Sequence, residues 1–292
     1  MSQYDIRTDL ALESKEFIEE ANGEIRGIKV DEWDEEKVEA HITRVEITSP
    51  NGAKIIKKPI GTYITIEADH LIECDETYQK AISEVIARQL LHLLPSIKKD
   101  SAVLVVGLGN RDVTADALGP SVVDALQITR HILKNFGEAA YPDKQPLSVS
   151  ALAPDVMGKT GMETAEIIKG VISVTKPDFI VVIDALAARS TRRLNRTIQL
   201  TNTGIHPGSG VGNNTIGLTE NLMQVPVIAL GIPTVVDATT IISDAMSKQG
   251  VIMLEQTALD MRSMYVTSKD IDAIIRQLCQ IVADALNYCF TG

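Results

Sequence analysis

Aromatic side chains are scarce in this sequence, at 4% of residues with a single tryptophan. Since 45% of the chain is nonetheless hydrophobic, the core must be built from Val, Ile, Leu and Ala. That is the usual material of buried parallel strands covered by helices. Cysteine is scarcer still. Cys74, Cys279 and Cys289 are an odd count without CxxC spacing, which gives no zinc cluster and no disulfide framework and fits a reducing compartment. Long apolar runs are missing too. The longest, Val225 to Val236, is broken by Pro226, Gly231 and Pro233 and falls short of a bilayer span. Positive charge is in deficit, with 28 Lys and Arg against 39 Asp and Glu and a net charge of −11. A general nucleic-acid binder would need a basic footprint, so direct nucleic-acid binding is not expected. The start, MSQYDIRTDLALESKEF, is acidic and lacks an apolar h-region, so no secretory signal is expected and a soluble, cytoplasmic protein is.

What is present falls into two parts. Residues 10–22 make a short acidic helical candidate. Alternating segments at Val38–Thr48 and Lys54–Glu67 flank Pro50-Asn51-Gly52, where Asn-Gly predicts a hairpin turn because both central residues tolerate positive φ. Residues 76–94 carry Ile82, Val85, Ile86, Leu90 and Leu93 on one helical stripe that Pro95 ends. From residue 101 strands and helices alternate. Strands are predicted at Ala102–Val106, Leu147–Ala151, Phe179–Ile183, Arg196–Thr201 and Val225–Leu230. Helices are predicted over Gly119–Asn135, after a capping box at Thr160-Gly-Met-Glu163, and at roughly 238–249 and 270–288. The fold class expected is α/β: a mostly parallel twisted sheet flanked by helices, in one domain, with an N-terminal β-hairpin appendage over roughly residues 25–75.

Four segments carry candidate chemistry. In Val106-Gly-Leu-Gly-Asn-Arg-Asp-Val-Thr-Ala-Asp116 a strand ends and a helix is about to begin, the position where open α/β sheets bind ligands. A dinucleotide site is disfavoured because Asp112 stands where the third glycine of Gly-x-Gly-x-x-Gly belongs. Taken alone, Asp116 is equally a helix cap. Asp184 follows the apolar run Phe179–Ile183 and faces the same edge of the sheet. Two carboxylates in one partly desolvated cleft cannot both ionise cheaply, which splits them into an acid and a base. The glycine-rich stretch Asn202–Asn213 carries His206, which is either a structural hydrogen-bonder or part of the site. The densest cationic run, Arg189, Arg192, Arg193 and Arg196, is either a solvated loop or a grip for an acidic substrate.

SQYDIRTDLALE, GLGNRDVTADALGP, TGMET, IDALAARS, TGIHPGSGVGN and GIPTVVDATT, in that order, resemble the germination protease family of spore-forming bacteria over nearly the whole chain. The resemblance implies an α/β core of the phosphorylase/hydrolase-like kind, similar to the hydrogenase maturation peptidases. It also implies two essential aspartates, falling on Asp116 and Asp184. It implies an endopeptidase made as a self-processing zymogen, acting on small acid-soluble spore proteins in the forespore and spore core, as a homotetramer. Those substrates are cut after glutamate in a Thr/Ser-Glu-Phe/Ile-Ala pattern. Thr8-Asp9-Leu10-Ala11 reads the same way, so residues 1–9 are expected to be a propeptide released at Asp9–Leu10. Arg189, Arg192, Arg193 and His206 are expected to bind substrate. No cofactor is expected, and a metal-dependent peptidase using Asp116, Asp184 and His206 stands as the alternative. A non-catalytic protein holding a small anion in its glycine loops stands as a further one.

Overall fold

The computed structural model describes residues 10, 26–208, 216–247, 261 and 264–291. The candidate helix over 10–22 lies outside the described residues apart from Leu10, as do Asp9 and residues 209–215 of the glycine-rich stretch.

The chain opens with three antiparallel strands, β1 (Ile28–Glu35), β2 (Ala40–Ile47) and β3 (Gly61–Ala68). The expected hairpin pair is β2 and β3, but Asn51-Gly52 does not make its turn. Helix α1 (Pro50–Ile56) does, because Ser49-Pro50 is a helix start: Ser49 Oγ accepts from the Gly52 amide at 3.1 Å and proline occupies the first turn. Helix α2 (Glu76–Leu93) follows, capped by Asp75, whose side chain accepts from the Tyr78 amide.

The second part comprises β4 (Ala102–Gly107), α3 (Leu118–Ala125), α4 (Arg130–Phe136), β5 (Ser148–Leu152), α5 (Thr164–Thr175), β6 (Phe179–Ala188), β7 (Thr197–Thr201), β8 (Val227–Asp237), α6 (Ala238–Ser247), β9 (Tyr265–Val266) and α7 (Ile271–Thr291). All described strands join one sheet in the order β1-β2-β3-β7-β8-β6-β4-β5, with β9 beside β8. The α/β class is as expected. The parallel part is confined to β5, β4, β6 and β8, while β7 runs antiparallel between β8 and β3. The sheet is therefore mixed, and the N-terminal strands extend the same sheet through β3 and β7.

Three local expectations give way to tertiary contacts. The single helix over Gly119–Asn135 is broken into α3 and α4 because buried Thr129 is drawn to β5, its amide donating to Val149 O and its hydroxyl to Leu147 O. The capping box shifts: the Glu163 amide donates to Glu166 Oε2 at 3.1 Å, while Thr160 Oγ1 accepts from the Met162 amide. Strand β8 runs past Pro233, which is tolerated because the β6–β8 register shifts there, between Leu186 and Ala187.

The period of two along the central strands sorts the core into layers. Val103, Val105, Phe179, Val181 and Ile183 face α2, α3 and α7, while Leu104, Val106, Ile180 and Val182 face α5. No helix among the described residues is long and apolar enough to cross a membrane. The start of α3 touches the ends of β4 and β6 with no room for a side chain. A Cβ on Gly119 would lie 2.3 Å from Leu108 O and 2.6 Å from Ile183 O, both backbone atoms that cannot yield. Gly119→Ala is therefore expected to destabilise the fold by about 1–3 kcal/mol. Gly170→Ala, in α5 with nothing within 4 Å, is expected to stabilise it by about 0.5–1 kcal/mol. Urea midpoints of the two variants check both signs.

Candidate active site

Asp184 is not beyond the end of its strand. It lies inside β6, in register with Gly231 of β8, at 5% exposure. Since Ile180 and Val182 face the α5 side, Asp184 points to that side too, one step past the apolar layer. Its Oδ1 accepts from the Ala185 amide at 3.0 Å. On this face the sheet turns polar. Tyr63, Gln199, Thr201, Gly231 and Asp184 share a cleft with Leu186, and the loop after β7 brings His206 to its rim. Gly217 makes room for the His206 ring, since a Cβ there would lie 2.4 Å from it.

Tyr63, Gln199 and Thr201 were not singled out from sequence, although the signal is present. In Thr197-Ile-Gln-Leu-Thr201 the apolar phase, Ile198 and Leu200, fills the core, so the polar phase must face the other side. The hydroxyls of Tyr63, Thr203 and Thr201 form a chain. Tyr63 donates to Pro59 O at 2.9 Å, Thr203 Oγ1 donates to the Tyr63 hydroxyl at 3.2 Å, and Thr203 Oγ1 meets Thr201 Oγ1 at 3.0 Å. Burial pushes the Tyr63 phenol above its ordinary pKa, with the Thr203 hydrogen bond opposing, so it acts here as a neutral hydroxyl.

Asp116 reaches the same edge by another route. The Leu108 amide donates to Ile183 O at 2.8 Å, so the chain leaving β4 continues beside Asp184. Gly109, at φ +119°, then turns back, and the Asp116 backbone packs on it where a Cβ would lie 1.9 Å from Asp116 O. Thr234 of β8 donates to Ala115 O at 2.6 Å and fixes the turn from the far side. Asp116 thus stands over the end of the sheet in a 3-10 turn (Thr114–Asp116), while Asp184 stands in the cleft; among the described residues Asp116 is not part of the cleft lining. The structure sets the two aspartates on adjoining backbone segments at one sheet edge.

A third carboxylate belongs to this edge. Asp155, at φ +65°, lies in the loop after β5. Lys159 ties that loop to the one carrying Asp116, bonding Asp155 at 3.3 Å and Asp112 at 2.7 Å. Burial pushes the Asp116 carboxyl up; the Asn110 amide on Oδ2 at 2.8 Å opposes this, and the Asp155 charge adds to the rise. Nothing in the sequence around Asp155 signals this, because it depends on β5 lying next to β4.

The arginines separate. Arg193 Nε donates to Glu67 Oε1 at 2.8 Å and is only 12% exposed, so it braces β3. Arg192 is exposed on the turn after β6, Arg189 is half-buried at the end of that strand, and Arg196 bonds Asp69 at 3.3 Å. The remaining described residue of note is Leu10, fully buried against Leu186, Ala188 and Val236. Among the described residues no group of three or more His, Cys, Asp or Glu is arranged to hold a metal ion.

The raised pKa of Asp116 has a stability consequence with a definite sign. A carboxyl whose folded pKa lies above its unfolded value penalises the fold when ionised; the penalty is absent below the unfolded pKa, near 3.9, and complete above the folded one. Asp116→Asn keeps an oxygen for the Asn110 amide and removes the charge. It is expected to match or exceed the parent in stability at pH 7 and to lose that advantage as pH falls toward about 4. Urea unfolding at the two pH values checks this.

Residues 6–253 match the family described as Germination protease. The germination protease of Caldanaerobacter subterraneus subsp. tengcongensis is 44% identical, covering 97% of this chain and 93% of its own. Those of Priestia megaterium and Bacillus subtilis are each 48% identical, covering 84% of this chain and 67% of theirs. Among solved structures, the [NiFe] hydrogenase maturation protease HycI from Thermococcus kodakarensis KOD1 is 16% identical, covering 64% of this chain and 93% of its own. Its TM-score of 0.32 is too low to bear on fold or chemistry. The extent and level of the sequence matches place this chain in the germination protease family, and it is a peptidase.

Proposed function

We propose that the chain is made as a zymogen, removes its own residues 1–9 at Asp9–Leu10, and then starts the degradation of small acid-soluble spore proteins during germination by cutting after an acidic residue. The observation that carries this reading is the place of Leu10. It is 0% exposed and packs on Leu186, the residue two beyond Asp184 on the same face of β6. The residue that follows the proposed bond thus packs on the strand that carries a buried carboxylate.

In the proposed reaction Asp184 takes a proton from water as the oxygen attacks the scissile carbonyl. Asp116, whose burial and neighbour Asp155 favour the protonated form, gives its proton to the leaving amine. The amide C–N bond breaks, a carboxylic acid and an amine form, and exchange with solvent returns each aspartate to its starting state. The acidic residue before the cut is assigned to Arg189 and Arg192 at the end of β6, with Arg193 held by Glu67 as their brace.

Mass spectrometry of the purified chain at mildly acidic pH tests the reading. The parent is expected to lose residues 1–9, and Asp116→Asn and Asp184→Asn to retain them, with or without chelator. A mature start at a residue other than Leu10, such as Phe17 after the acidic Glu16, or normal processing in Asp184→Asn, overturns the assignment; processing that stops with chelator moves it to the metal-dependent alternative. Separately, Arg192→Ala is expected to raise KM for peptides cut after an acidic residue about two- to fivefold, the worth of an exposed ion pair. Its thermal midpoint is expected to stay unchanged, because Arg192 is exposed.

A further inference from the structure

Strand register decides which groups share a row across the floor of the Asp184 cleft. Asp184 of β6 is in register with Gly231 of β8, and Gly231 with Gln199 of β7. All three line the cleft, and both side chains are buried, Asp184 at 5% exposure and Gln199 at 7%. Gly231 between them contributes no side chain, and only Leu186 leans over it: a Cβ on Gly231 would lie 2.5 Å from Leu186 Cδ1. Side chains stand roughly perpendicular to a sheet and neighbouring strands lie about 4.8 Å apart, so Asp184 and Gln199 rise about 10 Å from one another. The hydroxyl donors of the cleft are committed elsewhere. Thr203 Oγ1 gives its one proton to the Tyr63 hydroxyl, so Thr201 donates at the Thr201–Thr203 contact, and Tyr63 donates to Pro59 O. Tyr63 and Thr201 also stand one row back, level with Ala229. A glutamine amide carries two N–H donors, which a single neighbour does not exhaust.

We infer that Gln199 is a further catalytic residue: its side-chain amide donates to the oxygen of the scissile carbonyl and stabilises the negative charge that develops there when water adds. The inference rests on the proposed endopeptidase reading and deepens it, because that reaction otherwise leaves the oxyanion without a donor. The lengths agree. Water lies about 3 Å from the carboxylate that takes its proton, the carbonyl carbon about 3 Å from the water oxygen, and a donor about 3 Å from the carbonyl oxygen. Laid end to end with the C=O bond, these contacts span about 10 Å, the separation of the two side chains. In the step, the water oxygen bonds to the carbonyl carbon, its proton passes to Asp184, and the C=O electron pair moves onto the oxygen facing Gln199. That pair returns as the C–N bond breaks and Asp116 protonates the departing amine. Gln199 keeps its protons throughout. An amide placed this way acts on charge that appears only in the transition state, so it raises kcat and leaves KM alone.

The test uses the processed chain and peptides with an acidic residue before the cut. Gln199→Met removes the donor at nearly constant volume and is expected to lower kcat about a hundredfold or more, with KM within about twofold of the parent. Gln199→Asn keeps an amide but withdraws it by one methylene, and its kcat is expected to fall between the two. A peptide carrying a phosphinate in place of the scissile amide mimics the charged tetrahedral state. Its inhibition constant is expected to rise in Gln199→Met by the factor that kcat/KM falls. A folded Gln199→Met that cuts at the parent rate, or whose loss lies in KM, overturns the assignment and leaves the endopeptidase reading intact. A lower kcat with the phosphinate still bound as tightly as by the parent overturns it too, since that loss does not come from the oxyanion. Should urea unfolding show Gln199→Met to be misfolded, Gln199→Asn decides: a parent-like kcat overturns the assignment, and a lower kcat with a matching loss of phosphinate binding supports it. A parent that cuts none of the peptides overturns both readings.

Discussion

Strand β6 is longer than one of its two neighbours, and the site depends on that mismatch. It pairs with β4 only from Phe179 to Ile183 but with β8 from Ile180 to Ala188. Past Ile183 its β4-side edge is left to a loop, and the loop that fills it is the one bearing Asp116. On the other edge, β8 continues the hydrogen bonding, so Asp184 is held in a fully formed strand although it lies outside the apolar layer. Carboxylates are seldom buried without reason, because taking charge out of water is costly. Here strand pairing with β8 and the Leu108 amide on Ile183 O hold the backbone on both sides, and the polar face of β3 and β7 supplies the environment.

The glycines of this edge serve closeness more than flexibility. Gly107, Gly109 and Gly119 each face backbone at distances a Cβ could not accept. Their absence of side chains lets α3 begin against the ends of β4 and β6, with Asp116 in the turn just before it. Lys159 then joins the loops after β4 and β5, so the carboxylates Asp112, Asp116 and Asp155 are held as a set. The edge is rigid at its backbone and charged at its surface.

Much of this was legible in the sequence because the central strands are apolar on both faces and the helices are strongly periodic. The five strands expected after residue 101 were all found, whereas among the described residues Asp116 does not line the cleft that holds Asp184. What was not legible came from contacts distant in sequence. Thr129 breaks a helix because β5 claims its hydroxyl and amide. Asp155 matters because β5 neighbours β4. The antiparallel half escaped notice as part of the main sheet because pairing of β3 with β7 joins residues more than a hundred positions apart. Asn51-Gly52 carries a hairpin signal, but Ser49-Pro50 carries a helix signal, and the cap made by Ser49 governs the turn.

That short helix has a chemical consequence of its own. Asn-Gly is the dipeptide most prone to spontaneous deamidation, in which the glycine amide nitrogen attacks the asparagine side-chain carbonyl to close a succinimide. In α1 the Gly52 amide is buried and engaged with Ser49 Oγ, and a Cβ on Gly52 would lie 2.8 Å from Gly27 O, so the segment is packed against its neighbour. The nitrogen that must act as nucleophile is thus occupied, and helical geometry holds the reacting carbonyl away from it. The fold therefore shields this labile link against slow chemical ageing.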